Sequence, residues 1–295
     1  VFKTASILTA IDDGYIKDTA NCIVHTGCGI MEMYGAKMRD HNWHRGGYGD
    51  INVSRILQVS SNIGVSWLID KFYGDNPGKF VDGIHRLGLA TDLKLPFPEY
   101  EAPRVRHPRK DKTGRHWANW SKTALPWMSI GYETQVPPIS TLTFYNAIAN
   151  GGKMVRPRFV SRIEKDGEVI KEFPVQVIKN QICKNPASIG VIQDILYKVV
   201  HVGLGKTAGS KSFHVSGKTG TAQKAHNGSY KSGTVDYLLS FCGYFPSGKD
   251  ADGKPVKPKY SCIVCIQKSG LPASGGLMSG QVFHDIAEGI MARNV

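Results

Sequence analysis

The sequence predicts a mixed α/β protein with an antiparallel sheet. Apolar residues recur at helical spacing in several stretches, among them residues 139–149 and 189–199. Two strand-like apolar runs, residues 238–245 and 260–266, follow an extended segment around Lys218, and successive strands joined by short connections pair antiparallel. A chain of 295 residues, 41% of them hydrophobic, is long enough to bury one large core and is read as a single domain over residues 1–295.

The first helix uses Phe2, Ala5, Leu8 and Ile11, with Gly14 as its stop, so Lys3 stands in the first turn of a buried helix. Desolvation there favours the neutral, basic amine. Gly46-Gly47-Tyr48-Gly49 is a turn, because a phosphate loop would need a strand and a lysine beside it. Asn52 caps a helix through Val53, Ile56, Leu57 and Val59, which Ser60-Ser61-Asn62 interrupts with residues that prefer caps and turns. Helical spacing resumes at Ile63, Val65, Leu68 and Ile69, and Asn62 is the expected cap of that second helix. Pro138 opens a core helix ended by Asn150-Gly151-Gly152, and Asn185-Pro186 opens another that runs to about Gly203. After the strands comes a final helix over residues 281–291.

Three of these elements carry chemistry. The strand Ser216-Gly217-Lys218-Thr219-Gly220-Thr221-Ala222 presents a cation, and its period of two puts Thr219 and Thr221 on one face. Gly220 lets a backbone or substrate lie close, and an exposed strand edge offers N–H groups to an extended peptide. At the helix break, Ser60 is able to relay a proton and Asn62 to fix an amide. With the base Lys3, the set points to acyl transfer on a peptide-like substrate.

This order of motifs resembles the penicillin-binding proteins, with their Ser-x-x-Lys, Ser-x-Asn and Lys-Thr-Gly motifs. The similarity extends through Val1-Phe2-Lys3-Thr4-Ala5-Ser6, Asp12-Asp13-Gly14, Ser60-Ser61-Asn62-Ile63-Gly64, Ser129-Ile130-Gly131-Tyr132-Glu133, Ala147-Ile148-Ala149-Asn150-Gly151-Gly152 and Pro157. It covers nearly the whole chain and is nearest to class B members, especially the division-specific ones, through Phe241-Cys242-Gly243-Tyr244-Phe245-Pro246. The resemblance implies the β-lactamase/transpeptidase-like fold, a central antiparallel sheet with helices on both faces. It implies a D,D-transpeptidase that cross-links peptidoglycan stem peptides through a serine acyl-enzyme and is inhibited by β-lactams. Lys3, Ser60, Asn62 and Lys218 take catalytic roles, Lys218 supplying positive potential, while Thr219, Gly220 and Thr221 bind substrate. No metal and no organic cofactor is expected. A membrane anchor upstream, a periplasmic catalytic domain, a glycosyltransferase partner and division proteins are also implied.

One departure is important. The family's serine stands three residues before the lysine, which places it immediately before Val1. The chain is therefore expected to begin just after its nucleophile, to be inactive alone, and to supply three of five central strands. A serine β-lactamase and a non-catalytic β-lactam sensor are the alternatives, although class D β-lactamases carry an apolar residue where Asn62 stands.

A net charge of +13 raises nucleic acid as a partner, sharpened by Arg104, Arg106, Arg109, Lys110, Lys112 and Arg115 near Trp117 and Trp120. Residues 96–126 nevertheless read as a solvated loop, with prolines, mixed charge and no nucleic-acid motif. An anionic lipid or polyanionic envelope polymer suits that charge better. Among the ten histidines, His41 and His44 lie near Trp43, while His25, His107, His116, His201, His214, His226 and His284 are scattered; all read as surface or loop residues. Cys262 and Cys265 fall on opposite faces of a strand, which disfavours metal. Cys242, Cys262 and Cys265 read as buried thiols, and the spacing of Cys22 and Cys28 allows either a bridge across a hairpin in an oxidising compartment or two free thiols.

Overall fold

The structure, a computed structural model, describes residues 1–114, 117–224 and 235–293. Arg115, His116 and His226 lie outside those residues. The helices are α1 (Lys3–Asp12), α2 (Val53–Gln58), α3 (Asn62–Tyr73), α4 (Pro77–Arg86), α5 (Ala124–Ser129), α6 (Pro138–Ala149), α7 (Ala187–His201) and α8 (Gly280–Arg293). The central sheet has three antiparallel strands, Ser216–Lys224, Asp236–Phe245 and Tyr260–Ser269, in that spatial order. Alternation along the middle strand divides the interior between two cores. Cys242 and Tyr244 face the larger core with α1, α3, α6 and α7, whereas Phe241 and Phe245 pack with Phe283 and Ala287 of α8. Helices therefore cover both faces, and the predicted α/β architecture is present. No helix among the described residues is long and apolar enough to cross a membrane.

Local chemistry explains the helix ends. The Asn52 side chain accepts the Arg55 N–H at 2.8 Å to cap α2, and Ser60 ends that helix with a left-handed φ of 54°. The cap of α3 is Ser61, which accepts the Gly64 N–H at 2.9 Å; Asn62 is already the first helical residue. Pro138 occupies the first turn of α6, where its missing N–H costs no hydrogen bond. The far end of α1 is fixed by carboxylates. Arg86 pairs with Asp12 at 3.0 Å and with Asp13 at 2.9 Å, while Asp12 accepts the Lys184 and Asn185 N–H groups.

Two expectations need correction. The segment read as a solvated loop, residues 96–126, is exposed at most of its described residues but is anchored to the fold: Trp120 is buried, and Arg104–Val105 pairs with Thr134–Gln135. Indole burial supplies the apolar gain that the polar sequence around it hid. Cys265 is exposed and Cys262 half-buried, so of the three strand thiols only Cys242, on the middle strand, is buried; Tyr260–Ser269 is one of the sheet's two edge strands. All six cysteines are free thiols.

Candidate active site

The helix break, the start of α1 and the edge strand converge. Lys3, Ser60, Asn62, Thr219, Gly220 and Thr221 line one cavity of about 760 Å³, within the size range of small-molecule sites. Lys3 is 8% exposed, and its Nζ donates to the Ser60 carbonyl at 2.6 Å and lies 3.1 Å from Ser60 Oγ. Burial pushes the Lys3 pKa down to about 8, against the opposing pull of the Asp40 carboxylate. A neutral amine within reach of a hydroxyl is a proton acceptor coupled to a relay.

Asp40 holds the break in place. Its carboxylate, 1% exposed, accepts the Ser61 hydroxyl and the N–H groups of Asn62 and Ile63 at 2.7, 2.6 and 3.1 Å. Those bonds place a negative charge at the N-terminus of α3, where the helix dipole favours it, and fix the left-handed Ser60 backbone. The Asn62 side chain donates to the Arg39 carbonyl at 2.8 Å, which fixes its amide at the cavity wall.

On the opposite wall, Thr219 and Thr221 both border the cavity, and the Thr221 Oγ1 accepts the Gly275 N–H at 3.1 Å. Gly220 sits against the start of the chain: a Cβ there would stand 2.4 Å from Ser240 Oγ and 3.2 Å from the Val1 nitrogen. Lys218 does not line the cavity. It is fully buried behind Thr219, donating to the Thr219 carbonyl and Oγ1 at 3.2 Å each. Burial, assisted by the Lys3 charge, lowers its pKa far below the usual lysine range. Its direct contact is with Thr219, which borders the cavity.

Three lining groups escaped the sequence reading as site residues. Tyr145, on α6, donates to the Val1 carbonyl at 3.0 Å and shares a 2.7 Å hydrogen bond with Thr4, tying the entry of α1 to α6. His41, read as a surface residue, borders the cavity with Nε2 3.0 Å from the Tyr48 hydroxyl, and burial lowers its pKa. Glu133 sits at the cavity mouth in an ion pair with Arg106. The sequence marks Glu133 only as the end of the Ser129–Glu133 stretch that resembles the family, and the structure gives it a left-handed φ of 61°. Among the described residues no group of three His, Cys, Asp or Glu side chains is placed to hold a metal ion.

Similarity to other proteins accords with this geometry. The family described as "Penicillin binding protein transpeptidase domain" matches residues 1–288. The chain is 25% identical over 255 residues to a peptidoglycan D,D-transpeptidase FtsI homolog of Mesostigma viride, covering 82% of this chain and 40% of that one. It is 24% identical over 278 residues to penicillin-binding protein PbpB of Mycolicibacterium smegmatis, covering 90% and 39%. The solved TP domain of Burkholderia pseudomallei penicillin-binding protein 3 superposes with a TM-score of 0.72 at 25% identity, over 100% of this chain and 79% of that one. The chain spans less than two thirds of the curated relatives it matches, 52% of one and 31% of another. With the lysine, the Ser60–Asn62 pair and the threonine-lined strand around one cavity, and with a family match across nearly its whole length, the chain belongs to the penicillin-binding protein transpeptidase domain family, in its class B.

Proposed function

We propose that residues 1–295 form one transpeptidase domain of a longer protein that cross-links peptidoglycan stem peptides through a serine acyl-enzyme. The observation that carries this reading is the hydrogen bonding of Lys3 to Ser60 inside a cavity whose other wall is Thr219 to Thr221. The family's serine would be joined directly to Val1, whose nitrogen lies 3.3 Å from the Thr219 carbonyl and borders the cavity. That location brings a hydroxyl between base and strand.

In this mechanism the serine oxygen attacks the carbonyl of a terminal D-Ala-D-Ala bond as its proton passes to the Lys3 amine. The oxyanion is met by the backbone N–H of Thr221 and that of the serine. Ser60 relays the proton to the leaving amine, the C–N bond breaks and D-alanine departs. Asn62 holds the amide of the acyl group, and Thr219 and Thr221 bind the terminal carboxylate, with Lys218 orienting the Thr219 hydroxyl. A neighbouring stem-peptide amine then attacks the ester, releases the serine and leaves the cross-link. β-Lactams acylate the same serine. The class suggests a membrane-anchored protein with its catalytic domain in the periplasm, acting in septal wall synthesis beside a glycosyltransferase.

Mass spectrometry of the full-length protein after penicillin treatment tests the reading. One adduct on the residue before Val1, together with cross-linking of a stem-peptide acceptor, is expected. An adduct elsewhere, acylation that hydrolyses within milliseconds, or no adduct overturns it.

A further inference from the structure

We infer that the basic segment over residues 104–112 is a substrate-holding arm for peptidoglycan, binding carboxylates of the polymer whose stem peptide occupies the cavity. The inference rests on the proposed function and adds a second contact surface outside the cleft.

Charge and placement carry it. Between residues 104 and 122 the described residues include the exposed cations Arg104, Arg106, Arg109, Lys110, Lys112 and Lys122, opposed within the segment by Asp111 alone. Arg104 and Arg106 are paired with Glu101 and Glu133. No ion pair joins Arg109, Lys110, Lys112 or Lys122 to a carboxylate among the described residues. Exposed cations outside any ion pair keep their charge for an external anion.

The arm is joined to the cavity mouth and shaped in advance. Arg106 meets Glu133, and the 104–105 strand pairs with Thr134–Gln135; Glu133 and Thr134 both border the cavity. Arg109 follows Arg106 by three residues, a reach of at most about 10 Å. The Asn119 side chain clamps the segment, accepting the Arg109 N–H at 2.7 Å and donating to the His107 carbonyl at 3.0 Å, and Ala118 N–H donates to the Arg109 carbonyl at 2.8 Å. Lys110 lies 4.0 Å from the Trp117 ring centroid, and the guanidinium of Arg106 lies over buried Trp120 at 5.4 Å. A basic segment held in this way loses little conformational entropy when an anion binds. Uncross-linked peptidoglycan carries carboxylates along every stem peptide, so a strand seated in the cavity presents further carboxylates just outside it. A neutral or cationic ligand would gain nothing from the arm.

The test uses the full-length protein, soluble uncross-linked peptidoglycan as the probe, and penicillin acylation as an independent report on the cleft. In the variant R109Q/K110Q/K112Q, retention of the polymer is expected to weaken about ten-fold at low salt, as for three exposed ion pairs. The difference should shrink as salt shortens the screening length. The variant R162Q/K165Q/K171Q, which removes the same charge from the exposed ribbon of residues 162–172, should bind like the parent. Acylation rates should agree within two-fold in all three proteins. If the triple variant loses acylation, the single variants R109Q and K112Q are read instead, each expected to bind about two-fold more weakly. Undiminished polymer binding overturns the inference, as does an equal loss in the ribbon variant, or a loss seen only with anionic phospholipid vesicles. A parent protein that penicillin fails to acylate overturns the proposed function, a separate and recognisable result.

Discussion

The Asp40 carboxylate accepts the Ser61 hydroxyl at 2.7 Å across 21 residues of sequence, and this contact decides where the helix break sits. Asp40→Ala would leave the Ser61 hydroxyl and two N–H groups in a dry site without acceptors. The expected cost is about 3 kcal/mol, or roughly 6 °C in Tm for a domain of this size. Asp40→Asn keeps one acceptor and should cost about half as much. Thermal melting of the two variants beside the parent checks the order.

Lys3 makes both reactivity and stability depend on pH. Its pKa is about 8 in the folded protein against the usual lysine value of 10.5. Between those values the unfolded chain binds the extra proton, so the contribution of this site to stability rises with pH from about 8 to 10.5 and is at its minimum below 8. The acylation rate of the full-length protein should rise through an apparent pKa near 8. Lys3→Ala should lower the rate about 10³-fold and abolish that inflection. A pH–rate profile with its inflection unmoved in Lys3→Ala would remove Lys3 from the base role.

Asn62→Ala separates chemistry from folding. The variant loses one hydrogen bond to the Arg39 carbonyl, about 1 kcal/mol of stability, but should slow acylation about 10²-fold by releasing the acyl amide. Stopped-flow acylation and a urea melt of the same preparation check the two halves of the prediction.

Gly275 and Gly289 make opposite predictions for one kind of substitution. A Cβ on Gly275 would meet the Gly220 and Ser240 carbonyl oxygens at 2.0 and 2.8 Å, both rigid backbone, so Gly275→Ala should destabilise by about 2–3 kcal/mol and displace Thr221, whose Oγ1 accepts the Gly275 N–H. Gly289 lies exposed within α8 with open space around it, and Gly289→Ala should stabilise by about 0.5–1 kcal/mol. Denaturant midpoints of both variants are the check.

Periodicity and local caps made the helices, the strand run and the motif residues legible, because such signals arise between residues a few positions apart. By that means Lys3, the Ser60–Asn62 break and the face shared by Thr219 and Thr221 were determined by the sequence by itself. Tertiary structure alone decided that these three meet at one cavity, that Ser61 rather than Asn62 caps α3, that Lys218 lies behind the wall, and that His41, Tyr145 and Glu133 join the site. The reason is range. Asp40 and Ser61, or Tyr145 and Val1, interact across 21 and 144 residues, and burial of a charged group such as Lys218 depends on what packs around it from elsewhere in the chain.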